Sequence, residues 1–386
     1  MNRDSLKKQF EKACINNDKI KILIIDTDFI AGGPFKTSIN IAKELSKHNY
    51  SFYYIATKYW ERPSRWKEKF YDKFDGVYDL RYFLNKKKAM LKIIFMIKPS
   101  IILLINSKIS YQLLPILKNQ IPNVKIISKF HTEDAIFNYA KNYYHCIDKT
   151  IVVSQQLKNL LLNSVQDNME NIKIQNNIHL IFNGIENVNT HNTSSRLSNI
   201  YNISKNSFLL TFIGSIADHK DPLKLIDIAV NLNEDDDILL FIAGEGPLSY
   251  ELQNEIIRKN LENKVFYLGH FDDIFHLLSL SNLLILPSKI EGTPFVIIES
   301  MSIGVPAIAT NVGAIDEIID NDINGFLINR DDDIVKNFSE KILFLKNNGN
   351  QYLNMQISAI NKIHEKFNYN TMLQKYDECF KNTLFN

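Results

Sequence analysis

A chain of 386 residues is too long for one ordinary core, so two domains of about 150 to 200 residues are expected. Hydrophobic residues at 45%, charged residues at 23% and a net charge of +2 describe a soluble globular protein and give no argument for nucleic acid as a partner. Cys14, Cys146 and Cys379 are too scattered for a metal cluster and read as reduced thiols of a cytosolic protein, and neither a signal core nor an apolar run of about 20 residues argues for export or a membrane span.

In chain order, "KILIID" (Lys21 to Asp26), "SFYYIAT" (Ser51 to Thr57), "SIILLIN" (Ser100 to Asn106), "VKIISKF" (Val124 to Phe130) and "KTIVVS" (Lys149 to Ser154) are short apolar or β-branched runs, most of them separated by helix-length segments. That pattern predicts a parallel sheet of βαβ units. "ENVNTHNTSSRLSNIYNISKNS" (Glu186 to Ser207) is polar and without periodicity, an interdomain linker. A second strand series follows: "FLLTFIGS" (Phe208 to Ser215), "DILLFIAGEG" (Asp237 to Gly246), "KVFYLG" (Lys264 to Gly269), "NLLILPS" (Asn282 to Ser288) and "PAIAT" (Pro306 to Thr310). The expectation is two doubly wound α/β domains, residues 1–185 and 207–365, joined by a linker at 186–206.

Ligands of such sheets bind at the carboxyl ends of the strands, so four strand-to-helix loops carry the functional reading. In "IDTDFIAGGPFKTSINIAKEL", Gly32 and Gly33 allow close backbone approach to a ligand before a helix beginning near Lys36 to Ser38. In "FIGSIADHKDPLKLIDIA", Lys220 stands at the start of a helix, where it opposes the helix dipole unless an anion is bound. "FIAGEGPLSYELQNEI" is an incomplete dinucleotide fingerprint, with Ser249 at the third glycine position, and is weak evidence for NAD.

The fourth loop, "KIEGTPFVIIESMSIGVPAIAT", places Glu291 on a loop and Glu299 about one and a half turns into a helix whose first residue is read as Pro294 and whose stop is read at Gly304 and Pro306. The amides of Thr293, Phe295 and Val296 at that start suit a diphosphate. The carboxylates, in an otherwise apolar run, are read as acceptors for hydroxyls of a ribose and a sugar.

"PSKIEGTPFVIIESMSIGVPAIAT" resembles the donor-site signature of retaining glycosyltransferase family 4, two glutamates separated by seven residues. "IDKTIVVSQQLKNLL", "IFNGIE", "FIGSIADHKDPLKLIDIA", "FIAGEGP" and "NLLILPS" agree in order and approximate spacing. The resemblance implies a GT-B fold, two Rossmann-like domains facing across a cleft, with the acceptor on the first, the sugar nucleotide on the second and the final helix, about 366–386, packed back on the first. It gives Glu299 the ribose hydroxyls, Glu291 the donor sugar hydroxyls, Lys220 the phosphates, Gly33 the loop over the diphosphate and His131 in "KFHTEDAI" a place near the transferred sugar. Ser215 stands where the family usually has an arginine that pairs with the diphosphate.

The implied activity is retaining transfer from a nucleoside-diphosphate sugar to a glycan or lipid-linked acceptor in bacterial surface polysaccharide synthesis. No metal or other cofactor is expected: the only Asp-x-Asp pattern after a strand is "DTD" at Asp26 to Asp28, and "DDD" at Asp331 to Asp333 reads as solvated. The alternatives are a GT-B sugar-nucleotide epimerase and an inactive sugar-nucleotide-binding accessory subunit, for which Ser215 is the one hint. "YIATKYWERPSRWKEKFYDKF" (Tyr54 to Phe74), with Trp60 and Trp66, reads as core-completing aromatics, an acceptor surface being the alternative. "NKKKAMLKIIFMIKPS" (Asn85 to Ser100) reads as a buried helix, peripheral contact with a membrane surface being the alternative.

Overall fold

The computed structural model describes residues 19–27, 33–57, 71–80, 83–164, 175–186, 203–204 and 206–385. Gly32, most of the polar 186–207 stretch, and Trp60 and Trp66 lie outside the described residues. The chain divides into two compact units, Met1–Gly184 with Asn370–Asn386, and Ile185–Tyr369.

In the first unit, seven parallel strands are ordered β3-β2-β1-β4-β5-β6-β7. They are β1 Ile20–Asp26, β2 Tyr50–Ala56, β3 Gly76–Asp79, β4 Ile101–Ile105, β5 Lys125–Phe130, β6 Lys149–Val152 and β7 Ile178–Leu180. Most of their residues are buried, as a sheet covered on both faces requires. The helix after β1 runs Gly33–Leu45, earlier than the start expected near Lys36 to Ser38. Pro34 lies in its first turn, where a fixed φ and a missing N–H cost nothing. Strands β3 and β7 escaped the sequence reading because four and three residues are too few to show a period.

Helix Lys86–Ile97 turns Met90, Ile93, Ile94 and Ile97 into the core of its own unit and leaves Lys87, Lys88 and Lys92 in solvent. Its apolar face is therefore spent on the core. No described helix is long and apolar enough to cross a membrane. Helix Tyr369–Phe385 packs in this unit: the Tyr50 hydroxyl donates to Asp377 at 2.7 Å, and Phe380 lies 6.0 Å from Tyr50, 6.4 Å from Phe52 and 6.0 Å from Tyr376 between ring centroids.

The second unit has six parallel strands ordered β10-β9-β8-β11-β12-β13. They are β8 Phe208–Ile213, β9 Ile238–Ala243, β10 Val265–Gly269, β11 Leu283–Leu286, β12 Ala307–Thr310 and β13 Gly325–Ile328. In both sheets the chain starts inside, winds to one edge and returns to build the other, so the order reverses between β1 and β4 and between β8 and β11. Those reversals are where a doubly wound sheet opens a crevice for ligands.

Replacing the fully buried Phe380 by Ala deletes the ring that ties the last helix to β2. Urea unfolding should show a loss of about 3–5 kcal/mol, whereas Phe385→Ala, at an exposed position, should change it little.

Candidate functional site

Residues singled out in the sequence follow β8 and β11 at the reversal of the second unit and β1 and β5 in the first, and each unit is described by itself. In the second, β8 ends at Ile213 and the chain turns through Asp218–Lys220, a single 3-10 turn, before Pro222 caps helix Leu223–Asn231. From the neighbouring β11, the loop Pro287 to Thr293 leads into helix Phe295–Ser302. Lys220 Nζ donates to both carboxylate oxygens of Glu291, at 2.6 and 2.7 Å, and Ser288 Oγ donates to Oε1 at 2.7 Å. Side-chain exposure of 17% for Lys220 and 6% for Glu291 makes this a largely desolvated, charge-assisted pair. Such bonding is what an ionised carboxylate in an apolar run requires.

The two loops are sewn together at several further points. The carbonyl of His219 accepts from the amides of Lys289 and Ile290 at 2.9 and 3.2 Å, and Lys289 Nζ meets Asp218 at 2.6 Å. Arg330, just beyond β13, donates through Nη1 to Asp221 at 3.1 Å and to the Pro287 carbonyl at 3.2 Å. Gly313, at φ 58°, lies so close beneath the Glu291 loop that a Cβ would sit 2.1 Å from the Glu291 carbonyl oxygen. Ser215 faces the imidazole of His219, Oγ to Nε2, at 3.4 Å. Burial, then the Lys220 charge, holds that imidazole below the ordinary histidine value, against the opposing pull of Glu291 and Asp218.

Helix Phe295–Ser302 starts one residue later than expected. Pro294 is extended, with ψ 113°, and is the N-cap instead of the first helical residue. It supplies no side-chain cap, and the buried Thr293 Oγ1 has no hydrogen-bond partner. Phe295 and Val296 are in the first turn, where backbone amides have no carbonyl of their own helix to bond. Glu299 is buried one turn further on. The helix ends at Ser302, with Gly304 left-handed at φ 80° and the Ser300 hydroxyl donating to the Val305 carbonyl at 2.7 Å.

The glycines of "GEGP" have an architectural explanation. A Cβ on Gly244 would lie 1.8 Å from the Gly214 carbonyl oxygen, and one on Gly246 2.2 Å from that of Ile216. They admit the β8 loop, so the fingerprint's glycines are accounted for without a dinucleotide.

In the first unit, Gly33 opens the helix after β1, and Thr37 Oγ1 donates to its carbonyl at 3.0 Å and to Asn183 Oδ1 at 3.2 Å. His131 follows β5 and is buried, with Nε2 unbonded. Burial, then the nearby Lys129 charge, pushes its pKa well below the usual value, so the imidazole is neutral at physiological pH. Lys129 is itself fully buried, its Nζ lacking a hydrogen bond and lying 5.1 Å from the Tyr376 ring centroid. Among the described residues, no group of three or more His, Cys, Asp or Glu is arranged to hold a metal ion.

Sequence reasoning missed Ser288, Arg330 and Lys129. Ser288 is a polar residue closing an apolar strand and was visible in "LILPS". Arg330 lies far from the other site residues in sequence and beyond a strand too short to be read. Lys129 alternates within "KIISKF" as a solvent-facing lysine would.

Burial lowers the Lys129 pKa to about 7, with Asp26 pulling the other way. Because the folded value lies below the unfolded one, protonated Lys129 opposes folding fully below pH 7, and the penalty fades as pH rises toward about 10. Lys129→Met should therefore raise the thermal unfolding midpoint most at pH 6 to 7 and least near pH 10, measured by differential scanning calorimetry.

Residues 193–362 match the family model described as Glycosyl transferases group 1. Among curated proteins, the chain is 33% identical over 137 residues to the UDP-Gal:alpha-D-GlcNAc-diphosphoundecaprenol alpha-1,3-galactosyltransferase of Escherichia coli, covering 34% of this chain and 35% of that one. It is 24% identical over 263 residues to the N-acetyl-alpha-D-glucosaminyl L-malate synthase of Bacillus anthracis, covering 68% of each. The chain thus spans about a third to two thirds of the length of these relatives. Among solved structures, a glycosyltransferase from Rickettsia africae superposes with a TM-score of 0.75 at 23% identity, covering 96% of this chain and all of that one. HepE of Anabaena, in complex with UDP, gives 0.76 at 19%, covering 94% of this chain and all of HepE. At such identities these likenesses speak for the fold, which is GT-B. The family match itself falls within the second unit and covers less than half of the chain.

Proposed function

We propose that this chain is a retaining, metal-independent glycosyltransferase, moving a sugar from a nucleoside-diphosphate sugar to a glycan or lipid-linked acceptor in surface polysaccharide synthesis. The observation that carries the proposal is the bonded group Lys220, Glu291 and Ser288, held at a strand-order reversal beside the start of helix Phe295–Ser302. The names of the relatives lend the substrate class: the E. coli enzyme is named for UDP-galactose and a diphosphoundecaprenol-linked acceptor, and the HepE structure holds UDP.

Breaking an anomeric C–O bond leaves an oxocarbenium-like sugar and a nucleoside diphosphate, so the main demand is to stabilise the leaving charge. Lys220 and the first-turn amides of Phe295 and Val296 meet it with a cation and a helix N-terminus. Glu299 takes the ribose hydroxyls. Glu291 takes hydroxyls of the transferred sugar. Because Lys220 and Glu291 hold each other in the structure, the donor exchanges one internal pair for two contacts of its own, phosphate to ammonium and hydroxyl to carboxylate. The resemblance adds Gly32 and Gly33 over the diphosphate and His131 near the transferred sugar, where a neutral imidazole hydrogen-bonds a hydroxyl without adding charge. The departing phosphate oxygen takes the acceptor proton as the acceptor attacks on the same face, so no protein nucleophile is needed.

Release of nucleoside diphosphate from a panel of sugar nucleotides, with an acceptor extract and excess chelator, tests the activity; turnover should persist, and restoration only by a divalent ion would remove the metal-independent part. The two glutamates should then separate. Glu291→Gln should reduce transfer by at least about tenfold without weakening calorimetric binding of UDP, since Lys220 is released from its partner. Glu299→Gln should weaken UDP binding by about 1–3 kcal/mol. Equal behaviour of the two variants would overturn this division of labour.

A further inference from the structure

The Ser215 hydroxyl and the His219 imidazole face each other at the end of β8, four residues apart across the turn that carries Lys220. His219 is held there by its own backbone, since its carbonyl accepts two amides of the Glu291 loop. Three charged groups act on the ring, and a fourth is paired to one of them. Lys220 and Asp218 belong to its own turn, Glu291 comes from the loop after β11, and Lys289 of that loop is paired with Asp218. All four side chains are paired with an opposite charge: Lys220 with Glu291 at 2.6 Å and Asp218 with Lys289 at 2.6 Å. The imidazole alone faces a neutral hydroxyl and is exposed.

Resting on the donor-site reading above, we propose that His219, with Ser215 beside it, is the second contact to the donor diphosphate, and that the imidazole takes up a proton as the nucleotide binds. Partial desolvation of the ring and the Lys220 charge favour a neutral imidazole in the free protein. A diphosphate brings two or more negative charges to the same turn and reverses that balance, because a nearby opposite charge favours the protonated form. A guanidinium at position 215 would be charged at every accessible pH, whereas an imidazole binds an anion strongly only when protonated. The bound value lies above the free one, so the added affinity is complete below the free pKa and is lost as pH rises through the bound pKa.

Calorimetric titration of UDP into wild type and His219→Gln, in two buffers of different ionisation enthalpy at pH 7, reads the proton directly. Wild type should take up more protons than the variant. Its affinity advantage over the variant should be severalfold larger at pH 6 than at pH 8, about tenfold being the ceiling for a shift of one unit. Taking the ratio to the variant cancels the titration of the UDP phosphate itself. The double change Ser215→Arg with His219→Gln should restore affinity with no excess proton uptake. Equal proton uptake and parallel pH profiles in wild type and His219→Gln, with UDP bound by both, would overturn this inference alone. If wild type binds none of UDP, GDP or ADP, the donor-site reading fails and takes this inference with it. His219 is exposed, so the variant is expected to fold, and matching melting temperatures confirm it.

Discussion

The ion pair between Lys220 and Glu291 spans the two central strands of the second unit and depends on nearly everything around it. Each charge, taken from water alone, would cost several kcal/mol. Two short N–H···O bonds and the Ser288 hydroxyl offset that cost only while the loops after β8 and β11 keep their register. The register is fixed by backbone: two amides on the His219 carbonyl, Gly313 pressed beneath Glu291, and Gly244 and Gly246 making room for the β8 loop. Arg330 then ties Asp221 to the Pro287 carbonyl. A geometry this constrained is preorganised, which is worth more to a binding site than the pair is worth to stability.

The long apolar runs were legible because fully buried parallel strands are near-continuous Val, Ile and Leu, and ten of the strands announce themselves that way. Strands β3, β7 and β13, each at most four residues long, did not. The glutamates were legible by contradiction, as charges where the pattern wants none. The partner of Glu291 was not: Lys220 is 71 residues away, and nothing in local spacing says that an ammonium lies over one carboxylate and not the other. The same limit hid Arg330, 109 residues from Asp221. Glycines are ambiguous in the other direction. Those of "GEGP" looked like a cofactor motif because close approach to a phosphate and close approach to another backbone demand the same absence of Cβ.

The first unit spends stability in a different way. Lys129 and His131 alternate on one stretch of chain at the ligand end of β5, and both are buried with an unbonded nitrogen. A buried amine without a hydrogen bond is destabilising, and its charge helps to keep His131 neutral. Local rules broken at the ligand end of a sheet, while the strands behind it obey them, are characteristic of a site shaped for something other than its own stability.

On the donor-site reading proposed above, the internal pair also limits how tightly the second unit can hold a donor. A ligand that engages Lys220 and Glu291 separately must first cover the energy of parting them, so the observed affinity is the difference between two sets of charge-assisted bonds. A ligand offering only phosphate separates the pair and leaves Glu291 with Ser288 as its remaining hydroxyl partner. A ligand offering phosphate and sugar hydroxyls satisfies both halves. On that reading the nucleotide alone gains less from this group than the complete donor does, and the resting contact itself would discriminate between donor and spent nucleotide.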